Sequence, residues 1–96
     1  MPLLKISDFA PHVGKSVRIV GTPFTLTLDR IEGEDVPPPD GYERSPFLII
    51  YRGSRDAVMA PGIYDCAFEG GPTLNLHVAP IHTQAADRQE YQSAFN

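Results

Sequence analysis

Apolar and polar residues alternate in five short stretches of this chain. Val17 and Ile19 flank Arg18 within Ser16–Val20, and Phe24, Leu26 and Leu28 alternate with threonines. Tyr64, Cys66 and Phe68 recur within Ile63–Phe68, Leu74, Leu76 and Val78 within Thr73–Val78, and Tyr91 and Phe95 within Glu90–Phe95. A period of two places each set on one face of a strand. A sixth stretch, Pro46–Gly53 (PFLIIYRG), is apolar on both alternating faces. Phe47, Ile49 and Tyr51 are then expected to face the main core, and Leu48 and Ile50 need a cover of their own. The N-terminal residues Leu3, Leu4, Ile6 and Phe9 offer the best internal cover, a second subunit offers another, and curling of the sheet into a barrel a third.

Between these stretches the chain is punctuated by ten prolines and eight glycines, which leave no room for a long helix before Thr83. Thr83–Gln89 is the second, weaker helical window. The first, Ser7–Gly14, reads as one capped turn, with Ser7 as the N-cap, Gly14 supplying the positive φ that ends it, and Phe9 and Val13 plugging one end of the core. After Leu28 the next apolar residue is Ile31, which breaks the parity and predicts a bulge near Asp29–Arg30. Six short strands with Gly/Pro turns predict an all-β fold, a small antiparallel barrel or sandwich with a short N-terminal helical turn. At 96 residues the whole chain, 1–96, is read as one domain.

The longest interval without a pattern is Gly33–Ser45, stiffened by Pro37, Pro38 and Pro39 and followed by Tyr42. It is the strongest candidate for an exposed loop or a partner contact. A formal charge of −4 with scattered basic residues argues against nucleic acid. No apolar run reaches the length of a membrane span, and the N-terminus lacks the regions of a signal peptide, so the expected location is cytoplasmic and the expected partners exclude membrane.

Chemistry is sparse. His12, His77 and His82 invite a metal hypothesis, but they fall on different elements, with His77 on the face opposite Leu76 and Val78, and neither metal nor cofactor is expected. Cys66 beside Asp65 superficially suggests a nucleophile, yet it shares its face with Tyr64 and Phe68, the setting of a small buried apolar residue. Arg52, Arg55 and Asp56 close the central strand. Guanidinium there could bind a carboxylate or phosphate, but a solvated hairpin tip is the favoured reading.

The order of Phe9-Ala-Pro-His-Val-Gly14, Leu26-Thr-Leu28, Pro46–Gly53, Pro61-Gly-Ile-Tyr64, Leu74–Pro80 and Tyr91 to Phe95-Asn96 resembles a family of small bacterial proteins of unknown function. Its members look like companions of phage tail-collar or microcystin-dependent-type proteins. That resemblance implies an accessory role in a tail-like or fibre assembly and brings no catalytic residues.

These observations favour a non-enzymatic structural or protein-binding module. It would act through sheet edges or the proline-rich loop, with a protein partner or a second copy of the chain. The partner-binding candidates are Pro37, Pro38, Pro39, Tyr42, Leu48, Ile50, Arg52 and Arg55. The second reading is a small-molecule or carbohydrate-binding barrel with Tyr42, Tyr51, Tyr64 or Tyr91 at a pocket mouth.

Overall fold

The computed structural model describes residues 4–33, 46–83 and 86–95. Six antiparallel strands follow a short helical start: β1 Ser16–Ile19, β2 Thr25–Gly33, β3 Phe47–Gly53, β4 Gly62–Phe68, β5 Thr73–Ile81 and β6 Gln89–Phe95. They close in the order β1-β2-β3-β6-β5-β4, so the barrel reading holds and the sandwich does not. Two three-stranded meanders, β1–β3 and β4–β6, are joined by the pairs β1·β4 and β3·β6, and each meander with its added strand makes a Greek key. Closure also removes the free outer edges through which a partner was expected to bind.

The period-two pattern explains the interior. Val17, Ile19, Leu26, Leu28, Phe47, Ile49, Tyr51, Cys66, Phe68, Leu76, Val78, Tyr91 and Phe95 all belong to one buried cluster. Their partners on the polar face, among them Arg18, Asn75 and His77, are exposed.

One barrel end is plugged by the helical start. The helix α1, Ile6–Phe9, runs into a 3-10 turn over Ala10–His12. Phe9 lies 5.2–6.0 Å, centroid to centroid, from the rings of Phe47, Phe68 and Phe95, and Phe47 and Phe95 stack at 4.7 Å. Such tilted pairs satisfy the ring quadrupoles while filling a wide mouth. Gly14 adopts the expected positive φ of 86°. The cap differs from expectation: Lys5, not Ser7, is the N-cap, and its N–H donates to Asp8 Oδ2 at 2.7 Å, which puts an acid in the first turn. Val13 is 44% exposed and plugs nothing, because the turn ends before bringing it round. Among the described residues of Thr83–Gln89 there is no helix, and Gln89 already belongs to β6.

The opposite end is closed by the connection from β3 to β4, residues 54–61. Met59 is buried there, and its N–H donates to the Tyr91 hydroxyl at 3.0 Å. Arg52–Asp56 is therefore no hairpin tip. The strand it ends pairs with β2 and β6, and the chain crosses the barrel mouth to reach β4.

Not every seam is equally zipped. β4 and β5 pair from Gly62↔Val78 to Ala67↔Thr73, but β5 and β6 pair only at Ala79↔Gln92, Pro80↔Tyr91 and Ile81↔Glu90. Beyond that point Ser93 Oγ donates to the His77 carbonyl at 2.7 Å.

Candidate functional site

The parity break after Leu28 is a bulge. Leu28 pairs with Tyr51 and Ile31 with Ile49, so two residues, Asp29 and Arg30, stand opposite Ile50 alone. Its consequence is electrostatic, since an acid and a base adjacent in sequence now meet on the outer face of the barrel. Arg30 Nη1 donates to Asp29 Oδ2 at 2.8 Å, and Arg52 Nη1 donates to Asp29 Oδ1 at 2.6 Å. Arg30 Nε donates to Glu32 Oε2 at 2.9 Å.

Arg30 also reaches Glu90 Oε2 at 3.2 Å, although β2 and β6 lie on either side of β3. The bridge therefore passes over the outer face of β3, where Ile50 sits in register between Arg30 and Gln92. An arginine stem covers apolar surface while its head stays polar. Ile50 is 1% exposed yet lies outside the main core cluster, so its burial needs no second subunit. Leu4, Ile6 and Phe9 are not its cover, because they pack on the inner cluster, and Leu3 lies outside the described residues. Leu48 is half-buried on the same outer face.

Glu90, 5% exposed, accepts from Arg88 as well, with Nε and Nη2 each 3.0 Å from its Oε2. Hydrogen bonding from Arg30 holds the Glu90 carboxyl below its ordinary value against the opposing effect of burial, and Arg88 adds to it. The Asp29 carboxyl is held down in the same way, by Arg30 first and then Arg52. Three arginines and three carboxylates make a neutral, mutually oriented network.

That network forms one wall of a surface groove at the Met59 end. One half, about 410 Å³, is polar and is lined by Thr25, Thr27, Arg52, Gly53, Ser54, Asp87 and Arg88. Thr25 and Ser54 also line a second half of about 380 Å³, whose walls are Pro23, Phe24, Leu26, Asp56, Ala57 and Tyr91. Gly53 lets β3 pass close to Leu26 here, since a Cβ at this position would stand 2.8 Å from Leu26 Cδ2. Arg52 has one N–H engaged by Asp29, and a guanidinium carries five in a planar fork. Arg55 is exposed beside the groove and donates to the Arg88 carbonyl at 3.0 Å.

Of the residues singled out from sequence, Arg52 lines this groove, Arg55 borders it, and Leu48 and Ile50 lie further along the same sheet face. Pro37, Pro38, Pro39 and Tyr42 lie outside the described residues. Thr25, Ser54, Arg88, Asp29 and Glu90 escaped notice as site residues. The bulge at Asp29–Arg30 was the one signal for this cluster, and nothing local marks Arg88. Of the tyrosines proposed for a pocket mouth, Tyr91, though buried, lines the second half of this groove, whereas Tyr51 is buried in the core and Tyr64 donates to the Ala60 carbonyl at 2.6 Å.

His12, His77 and His82 are not brought together. His12 packs against the Phe68 ring at one barrel end, and its Nδ1 is buried without a hydrogen-bond partner among the described residues. His77 is exposed on the outer face of β5, and His82 follows that strand. Cys66 is fully buried, and burial, reinforced by Asp65, pushes its thiol up to about 11. Among the described residues no group of three His, Cys, Asp or Glu is placed to hold a metal ion, and no helix is long and apolar enough to cross a membrane.

The molecule is thus a six-stranded antiparallel barrel with a packed interior and a two-part groove at one mouth. Residues 4–95 match the family described as a domain of unknown function, DUF6916, and the chain belongs to that family. No curated protein and no solved structure matches it.

Proposed function

We propose that this domain is a non-enzymatic binding module that holds a protein partner against the Met59 end of its barrel. The observation that carries the reading is the union of two unlike surfaces at Thr25 and Ser54. An arginine-bearing polar half and an apolar half with Phe24 and Pro23 adjoin on a rigid frame. Arg and aromatic side chains are the groups that anchor protein interfaces, and the ion network holds Arg52 and Arg88 in place before any partner arrives. The accessory role in a tail-like or fibre assembly that the sequence resemblance implies is consistent with such a module and forms part of this proposal.

A second reading rests on the groove's dimensions. Each half falls within the roughly 300–1,000 Å³ of small-molecule sites, so a ligand with an anionic and an apolar end is the alternative occupant.

A photoreactive benzoylphenylalanine at position 54, and separately at position 69 near the opposite barrel end, separates the two. A discrete protein adduct formed in cells from position 54 alone supports the partner. A small-molecule mass carried through native purification and lost on Arg52→Ala supports the ligand. Equal protein crosslinking from both positions overturns the assignment of this end.

A further inference from the structure

Strand order sets the succession of side chains around the Met59 mouth. From β6 the barrel passes through β3, β2 and β1 to β4. At this end those strands carry first Arg88, then Arg52, then Thr25 and Thr27, and the hairpin from β1 to β2 adds Pro23 and Phe24. Next comes Val20, which follows β1 and whose N–H donates to the Asp65 carbonyl of β4 at 2.9 Å. Ile63 lies two residues from Asp65 on the same outer face of β4 and is 68% exposed. Val58 belongs to the connection that crosses this mouth, so three of the four exposed large apolar side chains among the described residues, Val20, Val58 and Ile63, gather at one end. The rim thus changes from guanidinium through hydroxyl to apolar along a single direction.

The polar part of the rim offers directed donors more than bulk charge. Arg52 gives one N–H, from Nη1, to Asp29, and Arg88 spends Nε and Nη2 on Glu90. Nε and Nη2 of Arg52 and Nη1 of Arg88 have no partner among the described residues. The two guanidinium charges are already balanced by Asp29 and Glu90, and Asp87 lines the same half of the groove. The planar fork of Arg52 suits the two oxygens of one carboxylate, whereas the second negative charge of a phosphate would meet Asp87 with no spare cation to offset it.

We propose that the rim selects a partner segment of fixed polarity, with one Asp or Glu side chain seated on Arg52 and apolar residues on one side of it lying along Phe24 and out over Val20, Val58 and Ile63. The proposal rests on the Met59 end being the binding surface and adds the chemistry of what binds there. Neighbouring strands stand about 4.8 Å apart, so the three spacings from β3 to β4 make roughly 14 Å, the reach of about four extended residues. A compact ligand held in the groove would leave Val20 and Ile63 in water. A polypeptide segment covers both, and that extent of exposed apolar surface makes it the occupant.

Random nine-residue peptides displayed on phage and panned on the intact domain test this. Enriched peptides are expected to carry one Asp or Glu with apolar residues on a constant side of it, and to shift the amide resonances of Val20, Thr25, Ser54 and Ile63. Changing the acid to its amide is expected to lower affinity by roughly tenfold or more, and reversing the peptide sequence to do the same. Ile63→Asp, outside the ion network, should cost roughly fivefold or more. Arg52→Gln should lose what the amide peptide loses, and the amide peptide should lose nothing further against it. If Arg52→Gln fails to fold, the amide peptides and Ile63→Asp still decide the outcome. Binding at this mouth that is indifferent to the acid or to Ile63→Asp overturns the proposal and leaves the binding surface in place. Tighter binding with phosphoserine in place of the acid overturns the choice of carboxylate. No enrichment, or shifts confined to the Phe9 end, overturns the proposal as well, and the crosslink from position 54 then shows separately whether the surface itself stands.

Discussion

The Tyr51 hydroxyl lies 2.9 Å from Ser93 Oγ inside the barrel. Ser93 directs its own proton to the His77 carbonyl at 2.7 Å, so Tyr51 is the donor in the first bond. This relay ties β3 through β6 to β5 where the β5·β6 ladder has ended. Burial pushes the Tyr51 phenol well above its ordinary value of 10.0, and the bond with Ser93 offsets part of that rise.

Ser93→Ala leaves both the tyrosine proton and the His77 carbonyl without their partner and is expected to destabilise the fold by about 1–3 kcal/mol. Urea unfolding of Ser93→Ala, Tyr51→Phe and the double variant measures it. The double variant should fall short of the sum of the singles, because removing both ends of a bond leaves fewer stranded groups.

Arg30 touches three carboxylates, Asp29, Glu32 and Glu90. Arg30→Ala strands the Glu90 carboxylate with Arg88 alone, and a loss of about 2–4 kcal/mol is expected. Arg30→Lys should recover less than half of it, since a single ammonium cannot serve three carboxylates in a planar fork. Thermal unfolding of the two variants gives the comparison.

Phe9 contacts three rings at one barrel mouth. Phe9→Ala opens a cavity there, at a cost of about 3–5 kcal/mol. Because the stability of a domain this size is of order 5–15 kcal/mol, the variant is expected to melt well below the parent, and Phe9→Leu to recover most of the difference. A scanning calorimeter reads both.

Acid should weaken the fold through the same ion network. Asp29 and Glu90 have folded-state values depressed below their ordinary 3.8 and 4.5. A depressed carboxyl contributes stability that is present above its unfolded value and lost as pH falls through its folded value. The urea midpoint should therefore decline as pH drops below 4.5, and Glu90→Gln should start lower and decline less steeply.

At the alkaline end the sign reverses for Cys66. Its thiol, raised from 9.0 to about 11, contributes stability that is complete below pH 9.0 and lost as pH rises toward 11. Cys66→Ala should flatten that limb. In the native protein at neutral pH, Ellman's reagent should label Cys66 slowly, and in denaturant at once; prompt native labelling would contradict its burial.

The candidate site was far less legible than the fold. Arg52 and Arg55 stood out because they follow a long apolar run, and Asp29–Arg30 because they interrupt an alternation. Arg88 and Ser54 reach the groove only because the chain crosses the barrel mouth after Gly53, which pairs with Gln89 on β6. No local pattern encodes that meeting. The same holds for the misread cap: Ser7 has the better capping chemistry, but the helix begins two residues earlier, with Lys5 as its cap, where Phe9 can enter the mouth.

The sequence by itself determined the strands, their inward faces and the bulge, because a period of two and its interruption are properties of consecutive residues. It also determined that β3 would be buried on both sides, since Leu48 and Ile50 are too apolar to be left in water. What covers Ile50 was decided by tertiary structure alone. Strand order places Arg30 and Glu90 on either side of β3, and their attraction across it is a contact between residues 60 positions apart. The short β5·β6 ladder is likewise a matter of closure. Six strands must curl to meet, and which pairs zip fully depends on the register of the whole barrel and not on any one strand.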